Sequence, residues 1–336
     1  MTILNGVLSL KIRVGVIGFG TIGRLVINGM LAHQEFEVVA VFDPALQDNH
    51  AQSLVGGEYE GIIIMPSSAA LLAMDNIDLV YIATPPTTHV DYCRQVISAK
   101  KALWCEKPLS VDVSEAEQLV REVEASGLAA AVNLSLASSP VLDKILTLMQ
   151  EPEQGRALKV EMRFHFSSWP RHWQSGAAAW LSSREQGGFL REIFSHFAFL
   201  QHRLFGVMEL MNSDVSFSVP EGCEDYVMAS YRTGDIEIKV VGGVGGMGPD
   251  INEWTLYSDK RALRYADWNK VSIGTIEGWK ELKLDMSQGS VQLQLDEIVK
   301  MLSGLPHKLS SFSEALAVQH VVENTLGVHT KASCSN

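Results

Sequence analysis

Three glycines in the order G-x-G-x-x-G, Gly18, Gly20 and Gly23, follow the apolar run Val14-Gly15-Val16-Ile17 and precede the periodic stretch Leu25-Val26-Ile27. Glycine at these positions serves three needs: a sharp turn, a backbone that a diphosphate can approach, and a helix packed closely on a strand. The start of that helix offers N–H groups without partners and the positive end of its dipole, which suits an anion. An acidic residue at the end of the next strand completes such a turn by accepting the ribose hydroxyls, and Asp43 stands 20 residues past Gly23. The expected ligand is an adenine dinucleotide, held by Gly18, Phe19, Gly20, Thr21, Ile22, Gly23 and Asp43. A carboxylate at this place bonds a 2′-hydroxyl and repels a 2′-phosphate, and Pro44 and Ala45 bring no arginine, so NAD is expected over NADP.

Further along stand Ala83-Thr84-Pro85-Pro86-Thr87-Thr88-His89, then Cys105-Glu106-Lys107-Pro108-Leu109, then Gly187-Gly188-Phe189-Leu190-Arg191-Glu192-Ile193-Phe194-Ser195-His196. With the glycine turn, these motifs resemble the Gfo/Idh/MocA oxidoreductase family, with its A-T-P-x-x-x-H turn, its E-K-P turn and its G-G-x-x-x-D-x-x-x-H helix. The resemblance spans nearly the whole chain. It implies a nicotinamide bordered by Thr84, Pro85, His89, Glu106 and Lys107, and a substrate set against Glu192 and His196 in a second domain. It also implies an NAD-dependent dehydrogenase acting on a hydroxyl-bearing carbon of a sugar, polyol or related polar metabolite. Reduction of an imine or double bond, or dinucleotide sensing without turnover, are the other activities the resemblance admits. The chain departs from the pattern at Glu192, where aspartate is common, at Ala99-Lys100-Lys101 in place of A-G-K, and at Leu134-Ser135-Leu136, where an arginine often follows Asn133.

Hydride transfer at a carbinol carbon needs a group that takes or returns the hydroxyl proton, within about 3 Å of the oxygen. Lys107 and His196 are the candidates. Desolvation and a positive oxidised ring both favour neutral lysine, and the neighbouring Glu106 opposes them, so Lys107 either acts as the base or stays charged and bonds the substrate oxygen. Spacings of three and four put Glu192, His196, Phe199 and Arg203 on one stripe of a helix whose apolar face is Phe189, Ile193, Phe197, Leu200 and Leu204. In the family's terms His196 transfers the proton or binds substrate, while Glu192 orients it or holds a substrate hydroxyl. Trp169-Pro170-Arg171-His172-Trp173 precedes this helix and either shapes the substrate pocket, with Trp169 and Arg171 as contacts, or lies in a subunit interface. No histidine has ligand-like spacing with other donors, so no metal is expected.

The elements that must position these residues are legible as two domains, which 336 residues are enough to build. Strands at 13–17, 37–42, 62–65, 79–83, 103–105 and 128–132 alternate with helical stretches, the grammar of a doubly wound parallel sheet whose ligands lie at the carboxyl ends of its strands. From 158 onward, alternating strands at 158–166, 225–231, 236–241, 254–257 and 263–265, with helices at 141–149, 188–204, 291–302 and 315–326, read as an open, mainly antiparallel sheet. The fold class is α/β: a Rossmann domain at 1–134 and a substrate-binding and oligomerisation domain at 135–336. An apolar, uncovered sheet face in the second domain predicts a homodimer or homotetramer.

Composition excludes other classes. A net charge of −12 without a Lys/Arg cluster argues against nucleic acid. No apolar run nears the roughly 20 residues that span a bilayer, and the opening residues lack a signal-peptide pattern, so a cytoplasmic location is expected. Cys93, Cys105, Cys223 and Cys334 lack C-x-x-C spacing and read as reduced thiols.

Overall fold

The computed structural model describes residues 3–4, 7–8, 11–47 and 57–327, so Cys334 lies outside the described residues. By internal packing the chain divides into two units, 1–138 with 289–312 and 139–288 with 313–336. A short antiparallel pair, β1 (Ile3–Leu4) and β2 (Val7–Leu8), opens the chain.

The first unit is a six-stranded parallel sheet ordered β5-β4-β3-β6-β7-β8. Its strands are β3 (Ile12–Ile17), β4 (Phe36–Phe42), β5 (Ile63–Ile64), β6 (Leu79–Ile82), β7 (Ala102–Glu106) and β8 (Ala130–Asn133). The strands are nearly continuous apolar runs because helices flank the sheet: α1 (Thr21–Ala32), α2 (Ser68–Leu72), α3 (His89–Ser98) and α4 (Val113–Ser126). Lys100, standing where the family has glycine, is left-handed with φ 56°.

The expected linear boundary at 134/135 differs from this packing. Helix α8 (Ser290–Leu302) returns to the first unit, where Leu295, Ile298 and Met301 share a core with Val26, Ile27 and Met30 of α1. Gly29 makes this approach possible, since a Cβ there would collide with Val291, and Gln292 Nε2 donates to Gly29 O at 2.8 Å. A helix pattern read from sequence carries no address, so its partner was not legible.

The second unit holds α5 (Pro140–Gln150), the short α6 (Ala178–Leu181), an eight-stranded sheet and α9 (Phe312–Thr325). The strands are β9 (Ala157–Phe166), β10 (Glu209–Ser216), β11 (Tyr226–Thr233), β12 (Ile236–Val244), β13 (Ile251–Ser258), β14 (Ala262–Ala266), β15 (Lys270–Thr275) and β16 (Gly278–Leu282). Their order is β10-β11-β12-β9-β13-β14-β15-β16, antiparallel except where β12 runs parallel to β9. Strands β10, β15 and β16 are absent from the sequence reading, and β10 and β16 are the two edges. Strand β16 is exposed along most of its length, and β10 alternates only between exposed and half-buried positions across a bulge at Leu210/Asn212, so neither carries the clear apolar alternation of a half-buried strand.

One sheet face is packed by a helical segment. Phe164 meets Phe194 and Phe197, and Phe197 stacks on Tyr265 at 5.2 Å. The opposite face is mixed rather than apolar throughout: Lys159, Glu161, Glu237, Lys239, Glu253 and Arg264 form ion pairs on it, with Lys159 over the Tyr257 ring and Arg264 over the Trp279 ring. Exposed Tyr226, Met228 and Val241 form an apolar patch on it near β10, with Met228 and Val241 neighbours in register.

Candidate active site

In the first unit the glycine turn leaves β3 and enters α1. Gly18 is left-handed at φ 108°, and a Cβ on it would lie 2.5 Å from Ala83 O. A Cβ at Gly23 would collide with Gly18 O. At Gly20, by contrast, a Cβ would meet no atom within 4 Å. Gly20 is also the N-cap of α1, with no side-chain cap and no acid in the first turn. Uncapped N–H groups, a positive helix end and empty space therefore coincide, as a diphosphate requires.

Asp43, half-buried at the end of β4, uses both oxygens on the backbone: Oδ2 accepts the Phe19 N–H at 2.7 Å and Oδ1 the Ala45 N–H at 2.8 Å. Each oxygen keeps a lone pair for a ribose hydroxyl. The Phe19 ring is buried edge-on against Tyr59 at 5.2 Å, so this residue offers backbone to a ligand rather than its ring. Thr21 and Ile22 are exposed on the first turn. These groups fit an adenine dinucleotide.

Two more turns leave the same carboxyl edge of the sheet. His89 is fully buried, and its ring nitrogens lie 2.7 Å from Pro108 O and 2.8 Å from Thr84 O. Expected as a cofactor contact, it instead ties the turn after β6 to the turn after β7. Burial lowers its pKa, while the two carbonyls favour the charged ring. Thr84 and Pro85 are left nearer the surface, with the Thr88 hydroxyl 2.8 Å from Thr84 Oγ1.

Glu106 Oε1 accepts from the Tyr81 hydroxyl and from Asn133 Nδ2, each at 2.5 Å. These bonds fix the E-K-P turn to β6 and β8 and leave Lys107, half-buried, at its tip. Tyr81 and Asn133 went unread because their partner is set by sheet order, which sequence does not show. Burial and the Glu106 charge hold the Tyr81 hydroxyl well above its ordinary pKa. Asn133 Oδ1 is a buried acceptor with no partner among the described residues.

In the second unit the helix expected over 188–204 is broken into two kinds of turn. Leu190–Phe194 is π-helical, the Ser195 N–H reaching back to Leu190 O, and α7 (Ser195–Phe205) follows. Such a bulge changes the angle between Glu192 and His196 from the one that 3.6-residue spacing implies. Both are half-buried on a helix otherwise mostly buried.

Beneath its start lies Glu224, missed from sequence. Its Oε1 accepts the Leu190 N–H at 2.7 Å, and its carboxylate fills the space a Cβ on Gly188, φ 100°, would need. Burial pushes the Glu224 carboxyl up to about 7. The G-G pair was the available signal: a left-handed glycine marks close approach by something. Arg191 next to it makes a two-bond ion pair with Glu323, 2.7 and 2.8 Å, buried on both sides, and ties the helix to α9.

Arg171 lies over the rings of Trp173, Trp169 and Phe166, at 4.8, 5.7 and 5.8 Å, and its Nε donates to Gln174 Oε1 at 3.1 Å. Gln174 Nε2 in turn reaches Glu192 Oε1 at 3.5 Å. Burial lowers the Arg171 pKa, and Glu192 and Asp250 oppose that shift. The Trp169 indole N–H is used on Leu181 O. The structure thus gathers Trp169, Arg171, Gln174 and Glu192, and sets Trp268, another residue missed from sequence, edge-on to His196 at 5.5 Å.

Among the described residues no group of three or more His, Cys, Asp or Glu is placed to hold a metal ion, and no helix is long and apolar enough to cross a membrane. Cys93, Cys105 and Cys223 are free thiols; burial raises the pKa of the last two, Cys223 to about 12, which leaves them poor nucleophiles.

Comparison with known proteins adds to this geometry. The chain is 34% identical over 119 residues to inositol 2-dehydrogenase 3 of Saccharopolyspora erythraea, covering 35% of this chain and 34% of that protein. It is 25% identical over 231 residues to 1,5-anhydro-D-fructose reductase of Ensifer adhaerens, covering 66% and 65%. The matched region is thus less than two thirds of the length of either relative. In fold it is similar to a crystal structure of an oxidoreductase from Thermotoga maritima, with a TM-score of 0.81 over 94% of this chain and 96% of that one, at 18% identity. Residues 12–134 match the model of the Gfo/Idh/MocA oxidoreductases, described as an oxidoreductase family with an NAD-binding Rossmann fold, so this stretch is similar to the dinucleotide-binding domain of that family.

Proposed function

We propose that the protein is an NAD-dependent oxidoreductase that moves hydride between the nicotinamide and a hydroxyl-bearing carbon of a sugar, polyol or related polar metabolite. The observation that carries this reading is the glycine turn, where an uncapped helix start and the empty space at Gly20 sit beside the Asp43 carboxylate. When bound, the nicotinamide supplies or accepts the hydride. Gly18, Gly20 and Gly23 with the first turn of α1 would hold the diphosphate, and Asp43 the adenosine ribose. Its carboxylate, with Pro44 and Ala45 following, favours NAD over NADP.

Lys107, fixed through the Glu106 network, and His196 are the residues to hold or move the hydroxyl proton. Glu192, within reach of the Arg171–Gln174 pair, orients a substrate hydroxyl. The two relatives named above act, by their names, on an inositol and an anhydro-sugar, which supports a polar carbon-ring or sugar substrate. A cytoplasmic location and a homodimer or homotetramer belong to the same reading, and light scattering of the purified protein measures the second.

The test is a panel of sugars, inositols and sugar acids with NAD or NADP, followed at the nicotinamide absorbance, on the wild type and on Lys107→Ala and His196→Ala. Turnover with NAD that falls by about 10²-fold or more in each variant supports the reading. Activity surviving both substitutions overturns the site. Dinucleotide binding without any hydroxyl turnover moves the assignment to an imine or double-bond reductase, or to a dinucleotide sensor.

A further inference from the structure

The hairpin joining β14 to β15 turns through Asp267, Trp268 and Asn269, with Ala266 paired to Lys270. Asp267 and Trp268 are both left-handed, at φ 51° and 67°. Turns of this kind select glycine, asparagine or aspartate, and a tryptophan there is strained. Its surroundings impose the conformation: Lys270 Nζ bonds Asp267 Oδ2 at 2.9 Å, and the Asp267 N–H donates to Asn252 O at 3.2 Å.

Burial does not explain the residue. The indole reaches α7, where it stands perpendicular to His196 with ring centres 5.5 Å apart and 5.7 Å from Phe197, yet 37% of its surface stays exposed. A strained turn that delivers a large, flat, partly exposed ring to the side of a half-buried histidine has the form of a ligand surface. An indole presents a broad apolar face, and its partner is a rigid ring with a face of C–H bonds. Pyranoses and cyclitols have such a face when their hydroxyls lie equatorial, whereas an open-chain polyol offers no fixed one.

We propose that Trp268 is the platform on which the substrate ring stacks beside His196, making this protein selective for cyclic over open-chain polyols. The proposal rests on the reading of His196 as a substrate-site residue. Trp268→Gly is the informative variant, because glycine suits φ 67° and so keeps the fold while removing the ring.

Saturation-transfer NMR with myo-inositol and with mannitol, on wild type and Trp268→Gly with NAD present, reads binding without requiring turnover. Ring protons of myo-inositol are expected to receive saturation from the wild type, with binding weakened about tenfold in Trp268→Gly and partly restored in Trp268→Phe. Unchanged thermal unfolding of the glycine variant accompanies that result. Equal transfer in the glycine variant, equal transfer to mannitol, or none to myo-inositol in the wild type overturns the proposal. Turnover of open-chain polyols alone leaves the oxidoreductase reading standing and removes this one, while ring binding without turnover does the reverse.

Discussion

Each unit has a glycine turn at the start of a helix and a carboxylate from elsewhere in its own unit, and the two are used oppositely. At Gly20 the space beside the backbone is empty, the helix start has no cap, and Asp43 stands half-exposed with lone pairs to spare. At Gly188 the space is filled by the Glu224 carboxylate, which takes the Leu190 N–H. Both turns look alike in sequence. What separates a ligand cradle from a structural joint is whether the protein's own side chain occupies the volume that the missing Cβ leaves.

Substitutions at the two turns sharpen this contrast. The largest effect is expected from Gly188→Ala, which puts a methyl into the Glu224 carboxylate at a left-handed position. Unfolding free energy in urea should fall by about 4 kcal/mol, and a loss under about 1 kcal/mol would mean that the joint gives way easily. Next is Glu224→Gln. The wild-type carboxyl titrates near 7 when folded against an ordinary 4.5, so the folded state holds the proton more tightly. Its contribution is fully present below pH 4.5 and is lost as pH rises through 7, a total of about 3 kcal/mol. The stability of Glu224→Gln relative to wild type should therefore increase by that amount between pH 4.5 and 8, and a pH-independent difference would contradict it. The smallest effect on stability is expected at Gly20→Ala, within about 0.5 kcal/mol, because a methyl there meets nothing. Calorimetric NAD affinity should nonetheless fall by about tenfold, the worth of one or two hydrogen bonds to the diphosphate. If affinity holds while stability drops, the two turns are of one kind.

The first unit was more legible than the second. Its strands are short apolar runs separated by helices, and local order in the chain is local order in space, so the glycine turn, Asp43, Thr84 and the E-K-P turn all pointed to one sheet edge. Yet His89 changed from a cofactor contact to a buried brace, since only the fold shows Pro108 O and Thr84 O on either side of its ring. In the second unit the periodicity of 188–204 was visible and its π-turn was not, because the extra residue is accommodated by packing rather than marked by composition. The supposed apolar sheet face proved mixed, as the polar half of the alternation in β9, Lys159 and Glu161, faces outward beside exposed Met228, Val241 and Trp279.

The sequence by itself determined the α/β class, the family resemblance and the residues of the glycine turn, because these depend on short-range spacing and on backbone freedom. Tertiary structure alone decided that α8 packs on α1, that Glu224 closes the second glycine turn, that Tyr81 and Asn133 hold Glu106, and that Trp268 meets His196. Each of those pairs joins residues whose distance apart in the chain carries no information about contact, and only the collapse of apolar surface into a particular packing brings them together.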